Sequence, residues 1–253
     1  MIMEYSFSDK ELERYSRNIL LKELGPQGQR RLHDGKVLAI GAGGLGSPNL
    51  LYLAAAGVGT IGVADKDVID LSNLQRQVIH DTSSVGEKKT ESARRRLLAL
   101  NPDISVRTHE GSISKDNIAD IVQDYDFVIE ATDQSSIKYL VNDVCTHLGK
   151  PFCIGGVVRF RGQVMTYVPG SSCYRCIFPH PATDLEVPPS SKVGILGAVP
   201  GVIGCIQATE AIKYLSGIGD LLTNRLLTFD ALTMQFNTLE LSRNSECPVC
   251  GNK

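Results

Sequence analysis

The residues in this sequence whose types and spacing suit chemistry fall into two sets: a glycine-rich stretch with charged residues downstream of it, and two pairs of cysteines. Gly41-Ala42-Gly43-Gly44-Leu45-Gly46 satisfies G-x-G-x-x-G, where glycines permit a tight turn and let backbone amides approach a phosphate. Alone, the pattern says only nucleotide or dinucleotide, or a tight turn without a ligand. Asp65 ends the next apolar run, a position suited to bonding ribose hydroxyls, which NAD and ATP both carry. Arg76 and Lys89 are candidate phosphate ligands, and Asp133 is a lone carboxylate that suits Mg²⁺ shared with phosphates. Splitting a triphosphate requires charge to be neutralised on three phosphates and a departing pyrophosphate, whereas a nicotinamide enzyme needs few cations beyond its glycine loop. Taken singly, Arg76 and Lys89 also fit a solvated face, and Asp133 fits a helix cap.

Cys173-x-x-Cys176 and Cys247-x-x-Cys250 form two knuckles whose four thiolates would complete a closed tetrahedral zinc site, a structural role that leaves no position for water. A redox dithiol is the rival reading, though that chemistry ordinarily uses one pair in a thioredoxin-like setting. Cys145, Cys153 and Cys205 lie in apolar contexts and are expected in the core.

These groups must be positioned by elements that the apolar pattern outlines. From Lys36 the chain reads βαβ: a strand Val37 to Ile40, the glycine loop, a helix to about Ala56, and a strand Ile61 to Asp65. Alternation continues with a helix near 87–100, a strand near 104–108, a helix near 115–122, a buried strand 127–131 and a helix 135–148. Asp133 therefore stands at the carboxyl end of a strand, where ligands bind in open α/β sheets. Ser8 and Glu11 form a capping box that opens a helix over 9–22, which Gly25-Pro26-Gln27-Gly28 ends, and a short basic helix with Arg30 and Arg31 follows before Gly35. Beyond Lys150 come strand-like runs at 152–154 and 163–168, a Pro and Ser-rich connection from Pro179 to Ser191 expected to be mobile, a helix over 202–215, and strands over 226–229 and 235–241. The fold class expected is α/β: a Rossmann-like, mostly parallel sheet flanked by helices, with an added C-terminal antiparallel β portion and a four-cysteine zinc knuckle. One domain spans 1–253, divided into N-terminal helices (1–35), nucleotide-binding core (36–168), first cysteine pair with crossover (169–197), and helix, strands and second cysteine pair (198–253).

The 26 basic residues are scattered among 28 acidic ones for a net charge of −2, so no electrostatic footprint for nucleic acid is expected. No apolar run is long enough for a membrane span, and the first ten residues lack a signal-peptide pattern. Together with an odd cysteine count that suits a metal better than a disulfide framework, this points to a cytoplasmic protein without a membrane partner.

The glycine loop, Asp65 and Asp67, Ser72-Asn73-Leu74-Gln75-Arg76-Gln77, Val85-Gly86 with Lys89, Thr132-Asp133, and Cys173-Tyr174-Arg175-Cys176 together resemble the MoeB/ThiF/HesA family of ubiquitin-activating-type adenylyltransferases, over nearly the whole chain. Arg14-Tyr15-Ser16-Arg17 resembles that family's opening R-Y-x-R. The resemblance implies that Gly41, Gly43, Gly44 and Gly46 approach the nucleotide, that Asp65 holds the ribose, and that Ser72, Asn73, Gln75 and Arg76 line the phosphates. It further implies that Lys89 and Arg17 stabilise the pyrophosphate, Arg17 reaching across a homodimer, and that Asp133, followed by Gln134 where relatives more often carry asparagine, serves Mg²⁺. The implied partner is a small ubiquitin-like sulfur carrier ending in Gly-Gly, with a sulfurtransferase as a further partner, in molybdopterin, thiamine or related sulfur-transfer pathways. Some relatives carry a cysteine in the crossover where this chain has Ser190, which leaves no thiol there for a thioester or persulfide.

The reaction so implied is attack of a C-terminal carboxylate on the α-phosphorus of Mg·ATP. A carboxylate of pKa about 3.3–3.7 is already ionised at neutral pH and needs no general base, in keeping with the absence of the five histidines from these motifs. Two other readings stand beside it: an NAD(P)-dependent oxidoreductase, supported by the glycine loop and Asp65 alone, and a catalytically silent scaffold for a ubiquitin-like protein.

Overall fold

In a computed structural model, residues 7–181 and 190–251 are described, without the side chains of Ser190 and Ser191. The chain opens with α1 (Asp9–Ile19), whose first turn closes the expected capping box: Ser8 Oγ accepts from the Glu11 amide, and Glu11 accepts from the Ser8 amide at 2.8 Å. It stops at Ile19 instead of reaching residue 22, and α2 (Gly25–Asp34) begins on Gly25 itself, with Pro26 in the first turn where its missing N–H costs no hydrogen bond.

Then come β1 (Lys36–Ile40), α3 (Gly46–Ala56), β2 (Thr60–Asp65), α4 (Lys89–Leu100), β3 (Ser105–Glu110), α5 (Ile118–Val122), β4 (Phe127–Glu130), α6 (Ser135–His147) and β5 (Phe152–Val158). The antiparallel continuation consists of β6 (Arg161–Tyr167), β7 (Arg225–Asp230) and β8 (Gln235–Glu240), with α7 (Tyr174–Ile177), α8 (Ser190–Val193) and α9 (Ala198–Ser216) between β6 and β7. α9 starts four residues before the expected Val202, because Pro200 falls in its first turn, where proline is compatible with a helix. β5 runs to Val158, well past residue 154, since it pairs along its length with β6.

Among the described residues, eight strands form one sheet in the order β3-β2-β1-β4-β5-β6-β7-β8. Pairing is parallel from β3 to β5 and antiparallel from β5 to β8. Side chains of β1 alternate between two cores: Val37 and Ala39 pack on one face with Leu50 of α3, Leu97 of α4 and Ile203 of α9, while Leu38 and Ile40 pack on the other with Val122 of α5 and Val141 of α6. Both faces being covered explains why the parallel strands read as continuous apolar runs. Strand order reverses between β1 and β4, so the loops leaving those two strands share one crevice at the carboxyl edge.

The connection expected to be mobile lies largely outside the described residues, which exclude 182–189 and the side chain of Ser190.

Candidate functional site

The glycine loop leaves β1 and is folded tightly against its neighbours. Gly41 has φ +104°, and a Cβ there would sit 2.8 Å from the Ala131 carbonyl oxygen at the end of β4. A Cβ on Gly46 would lie 2.0 Å from the Gly41 carbonyl oxygen, so the turn into α3 closes only without a side chain. Gly43 and Gly44 face outward to different partners: a Cβ on Gly43 would reach the Gln77 amide at 3.5 Å, and one on Gly44 the stems of Pro200 and Arg76 at 3.2 and 3.4 Å. The segments carrying Arg76 and α9 thus approach the same loop that opens α3, whose amino terminus favours an anion.

Asp65 supports this loop directly, accepting from the Ala42 amide at 2.8 Å and from the Asp67 amide at 2.9 Å, with lone pairs left for further donors. Behind the loop His80 is buried, its Nε2 3.0 Å from the Ala42 carbonyl oxygen and its Nδ1 2.9 Å from Ser92 Oγ. Burial holds this imidazole below the usual histidine range. No histidine belongs to the sequence motifs, yet His80 contacts the loop's backbone.

Downstream of β2, Asp70 caps a short 3₁₀ turn, Leu71–Asn73, accepting from the Ser72 amide at 2.8 Å, while Asn73 Oδ1 accepts from the Asp70 amide at 3.2 Å. This reciprocal cap displays Ser72, and Arg76 folds back to donate to the Ser72 carbonyl at 3.2 Å. The Gln75 carbonyl oxygen lies 2.2 Å from where a Cβ on Gly197 would stand, joining this segment to the start of α9. Lys89, at the start of α4, is buried and pairs with half-exposed Asp67 at 3.0 Å.

The loop from β4 to α6 carries Asp133 and Gln134, both exposed. Asp133 has no hydrogen bond or ion pair among the described residues. Sequence reasoning missed what lies beneath: Glu130 is fully buried and pairs with Lys138 at 2.5 Å. A carboxylate inside the apolar run 127–131 was the available signal, because a charge in a buried strand must find a partner. Burial pushes the Glu130 carboxyl up, and the Lys138 ammonium opposes that shift.

Arg17 is exposed on α1 and is not brought to the glycine loop of its own chain. Tyr15 of the same helix packs on Gly57, the C-cap of α3, and bonds Asn101 at the end of α4. The loop lies at the opposite end of α3, about 16 Å away for an eleven-residue helix.

The four cysteine sulfurs of the two knuckles all lie within 4.8 Å of one another. Sγ separations are 4.0 Å for Cys173 and Cys176, 3.6 Å for Cys173 and Cys247, and 3.3 Å for Cys176 and Cys250. A tetrahedron with bonds of about 2.3 Å to zinc has sulfurs about 3.8 Å apart, whereas a disulfide needs about 2.05 Å, so the set fits a single metal ion. The first knuckle is fastened to α6 by a bidentate pair between Arg175 and Asp143 at 2.7 and 2.8 Å and by the Tyr174 amide on Asn142. Arg243 donates to the Cys250 carbonyl of the second. Burial pushes the Cys173 thiol up; it is also the largest influence on Cys247, but hydrogen bonds from the backbone at Cys250 and Val249 and from the Cys173 and Cys250 side chains together bring that thiol down to about 7. Cys145 and Cys153 are core residues as expected, the former pushed up to about 12 by burial, but Cys205 is only half-buried on α9.

Among known proteins, the ThiF family matches residues 15–249. The SAMP-activating enzyme E1 of Haloferax volcanii is 47% identical over 249 residues, covering 98% of this chain and 92% of that protein. The sulfur carrier protein adenylyltransferase of Thermus thermophilus is 43% identical over 253 residues, covering 98% and 93% respectively. A crystal structure of E. coli MccB with MccA-N7isoASN superposes with a TM-score of 0.85 at 27% identity, covering 99% of this chain and 77% of that one.

Proposed function

The chain belongs to the ThiF family, and on that premise we propose that it is an adenylyltransferase that activates the C-terminal carboxylate of a small sulfur-carrier protein. The carboxylate oxygen bonds the α-phosphorus of ATP as the bond to the β-phosphate bridge breaks, giving an acyl-adenylate and pyrophosphate. The observation that carries the reading is the junction at the strand-order reversal, where the Gly41 turn abuts Ala131 and the loop bearing Asp133. Two loops with different chemistry thereby face one crevice: amides and a helix amino terminus for phosphate, and a free carboxylate for a cation.

Within it, Asp65 is suited to the ribose, and Ser72, Asn73, Gln75 and Arg76 to the phosphates beside Gly41, Gly43, Gly44 and Gly46. Lys89, held by Asp67, is a pyrophosphate ligand that a stronger anion would draw from its carboxylate partner. Asp133, next to Gln134, is the residue suited to Mg²⁺, which supplies charge neutralisation on the polyphosphate. The nucleophile arrives ionised, so positioning and electrostatics supply the catalysis without a base.

Arg17 belongs to the partner's site in this reading. Its place at the far end of α3 keeps it from its own glycine loop, and a two-fold dimer would deliver it to a second one. Cys173, Cys176, Cys247 and Cys250 would hold a structural zinc that ties the chain's end to the segment after β6. A carrier tail ending in Gly-Gly is the substrate that the likeness to a sulfur carrier protein adenylyltransferase supports, and a sulfurtransferase would consume the acyl-adenylate. Exchange of labelled pyrophosphate into ATP, dependent on a carrier ending in Gly-Gly, is the expected activity. Absence of exchange with every such carrier, in protein shown to be folded and zinc-loaded, would overturn the reading.

A further inference from the structure

Beneath Asp133 lies a charged network that the adenylation chemistry does not itself employ. Lys138 Nζ commits all three donors, to Glu130 Oε2 at 2.5 Å, the Thr132 carbonyl at 2.8 Å and the Gly155 carbonyl at 2.6 Å. The other Glu130 oxygen accepts from the Thr132 amide at 2.9 Å and its hydroxyl at 2.5 Å. Gln207 of α9 adds a donor to the Glu130 carbonyl at 2.7 Å. Thr132 is thus gripped on both sides, its N–H by Glu130 and its C=O by Lys138. That carbonyl belongs to the peptide plane joining Thr132 to Asp133, so the grip sets the direction in which the Asp133 side chain leaves the backbone.

Stability alone is a poor account of this arrangement. Taking two charges out of water offsets most of their attraction, and a neutral pair of the same shape is often as stable. What a neutral pair does not supply is three directed donors on one atom.

We propose that Glu130 and Lys138 are positioning residues for acyl-adenylate formation, clamping the Thr132–Asp133 peptide so that the Asp133 carboxylate meets the metal-bound phosphates without reorganisation. The inference rests on the assignment of Asp133 made above. Asp133 has no bond of its own among the described residues, so its order comes from the backbone on either side: the clamp at Thr132, and the Gln134 amide that donates to Thr132 Oγ1 at 3.3 Å. A carboxylate displaced by about 1 Å costs on the order of 10²-fold in rate.

The test is the double variant Glu130→Gln/Lys138→Met, which removes both charges and leaves none buried alone. Its Tm should fall by only a few degrees, since Met leaves the Thr132 and Gly155 carbonyls without the Lys138 donor, while kcat for carrier-dependent pyrophosphate exchange falls at least about tenfold, KM for ATP moves by less than about threefold, and half-saturation by Mg²⁺ rises. A folded double variant with wild-type kcat and Mg²⁺ dependence overturns the proposal. Should that variant not fold, Thr132→Val, which deletes the hydroxyl's contacts to Glu130 and to the Gln134 amide while leaving both buried charges paired, decides: a several-fold lower kcat at unchanged Tm supports the clamp, and unchanged kcat rejects it. Asp133→Ala is measured alongside. If it retains wild-type exchange, the assignment of Asp133 fails on its own account; if it loses exchange while the double variant does not, only the clamp fails.

Discussion

At the crevice between β1 and β4, most groups proposed to act on substrate are open: Asp133 is exposed and Asp65 keeps unused lone pairs, although Lys89 is buried against Asp67. In the cysteine cluster the opposite holds, with Cys173, Cys247 and Cys250 buried, Cys176 half-buried, and four protein sulfurs gathered within 4.8 Å. Each region suits its task. A site that must bind, react and release needs polar atoms whose partners arrive with the substrate, so its order is supplied from beneath, by Glu130, Lys138 and His80. A site that only fastens the chain is best closed, because a tetrahedral set of thiolates leaves the ion nothing further to do. The difference teaches that, Lys89 apart, burial more than charge or residue type separates reacting groups from holding groups in this molecule.

That contrast breaks if substitutions in the two regions have the same consequences. The largest effect is expected at the open site: Asp133→Ala should lower carrier-dependent exchange by about 10²–10³-fold with no change in Tm, since the side chain is exposed and makes no bond among the described residues. Arg17→Ala should be comparably inactive, and mixing it with Asp133→Ala protein should restore activity toward about a quarter of wild type, as each mixed dimer regains one site. Failure of the mixture to recover any activity would remove Arg17 from the partner's site.

Next in size is the closed site. Cys247→Ser, or chelation of the metal, should lower Tm by about 10 °C, corresponding to about 3 kcal/mol for a chain of this size, while protein that remains folded keeps kcat within about threefold. Metal content measured alongside Tm checks it; a folded variant that has lost turnover but not stability would place the cysteines in the chemistry.

The smallest effect sharpens the comparison at the boundary between holding and reacting. Burial lowers the His80 pKa in the folded chain, so the unfolded chain takes up the proton first as pH falls. The stability contributed by neutral His80 is therefore complete above the unfolded value of about 6.5 and is lost as pH drops through and below it. Thermal melts between pH 7.5 and 5.5 should show a decline in Tm that is smaller in His80→Gln; an equal decline would dismiss His80 as the titrating support of the glycine loop.

Much of this was legible before any coordinates. The glycine spacing, the alternating apolar runs and the two C-x-x-C pairs are local signals, each set by short-range backbone geometry or by the small number of ligands a metal accepts. The order of elements, the parallel half of the sheet and its antiparallel extension followed from them. Boundaries were less secure where proline was ambiguous: Pro200 reads equally as a stop before a helix or as part of its first turn, and α9 takes the second course.

What the sequence by itself determined, then, was which residues could bind a nucleotide or a metal, and the strands and helices on which they ride. Only the tertiary structure decided that Glu130 and Lys138, eight positions apart on different elements, meet beneath Asp133, that His80 reaches the Ala42 carbonyl, and that Arg17 stands at the wrong end of α3 for its own loop. The physical reason is that a buried polar group must be satisfied wherever it lands. Which partner satisfies it depends on how strands and helices are stacked in space, and that stacking is a property of the whole packed chain.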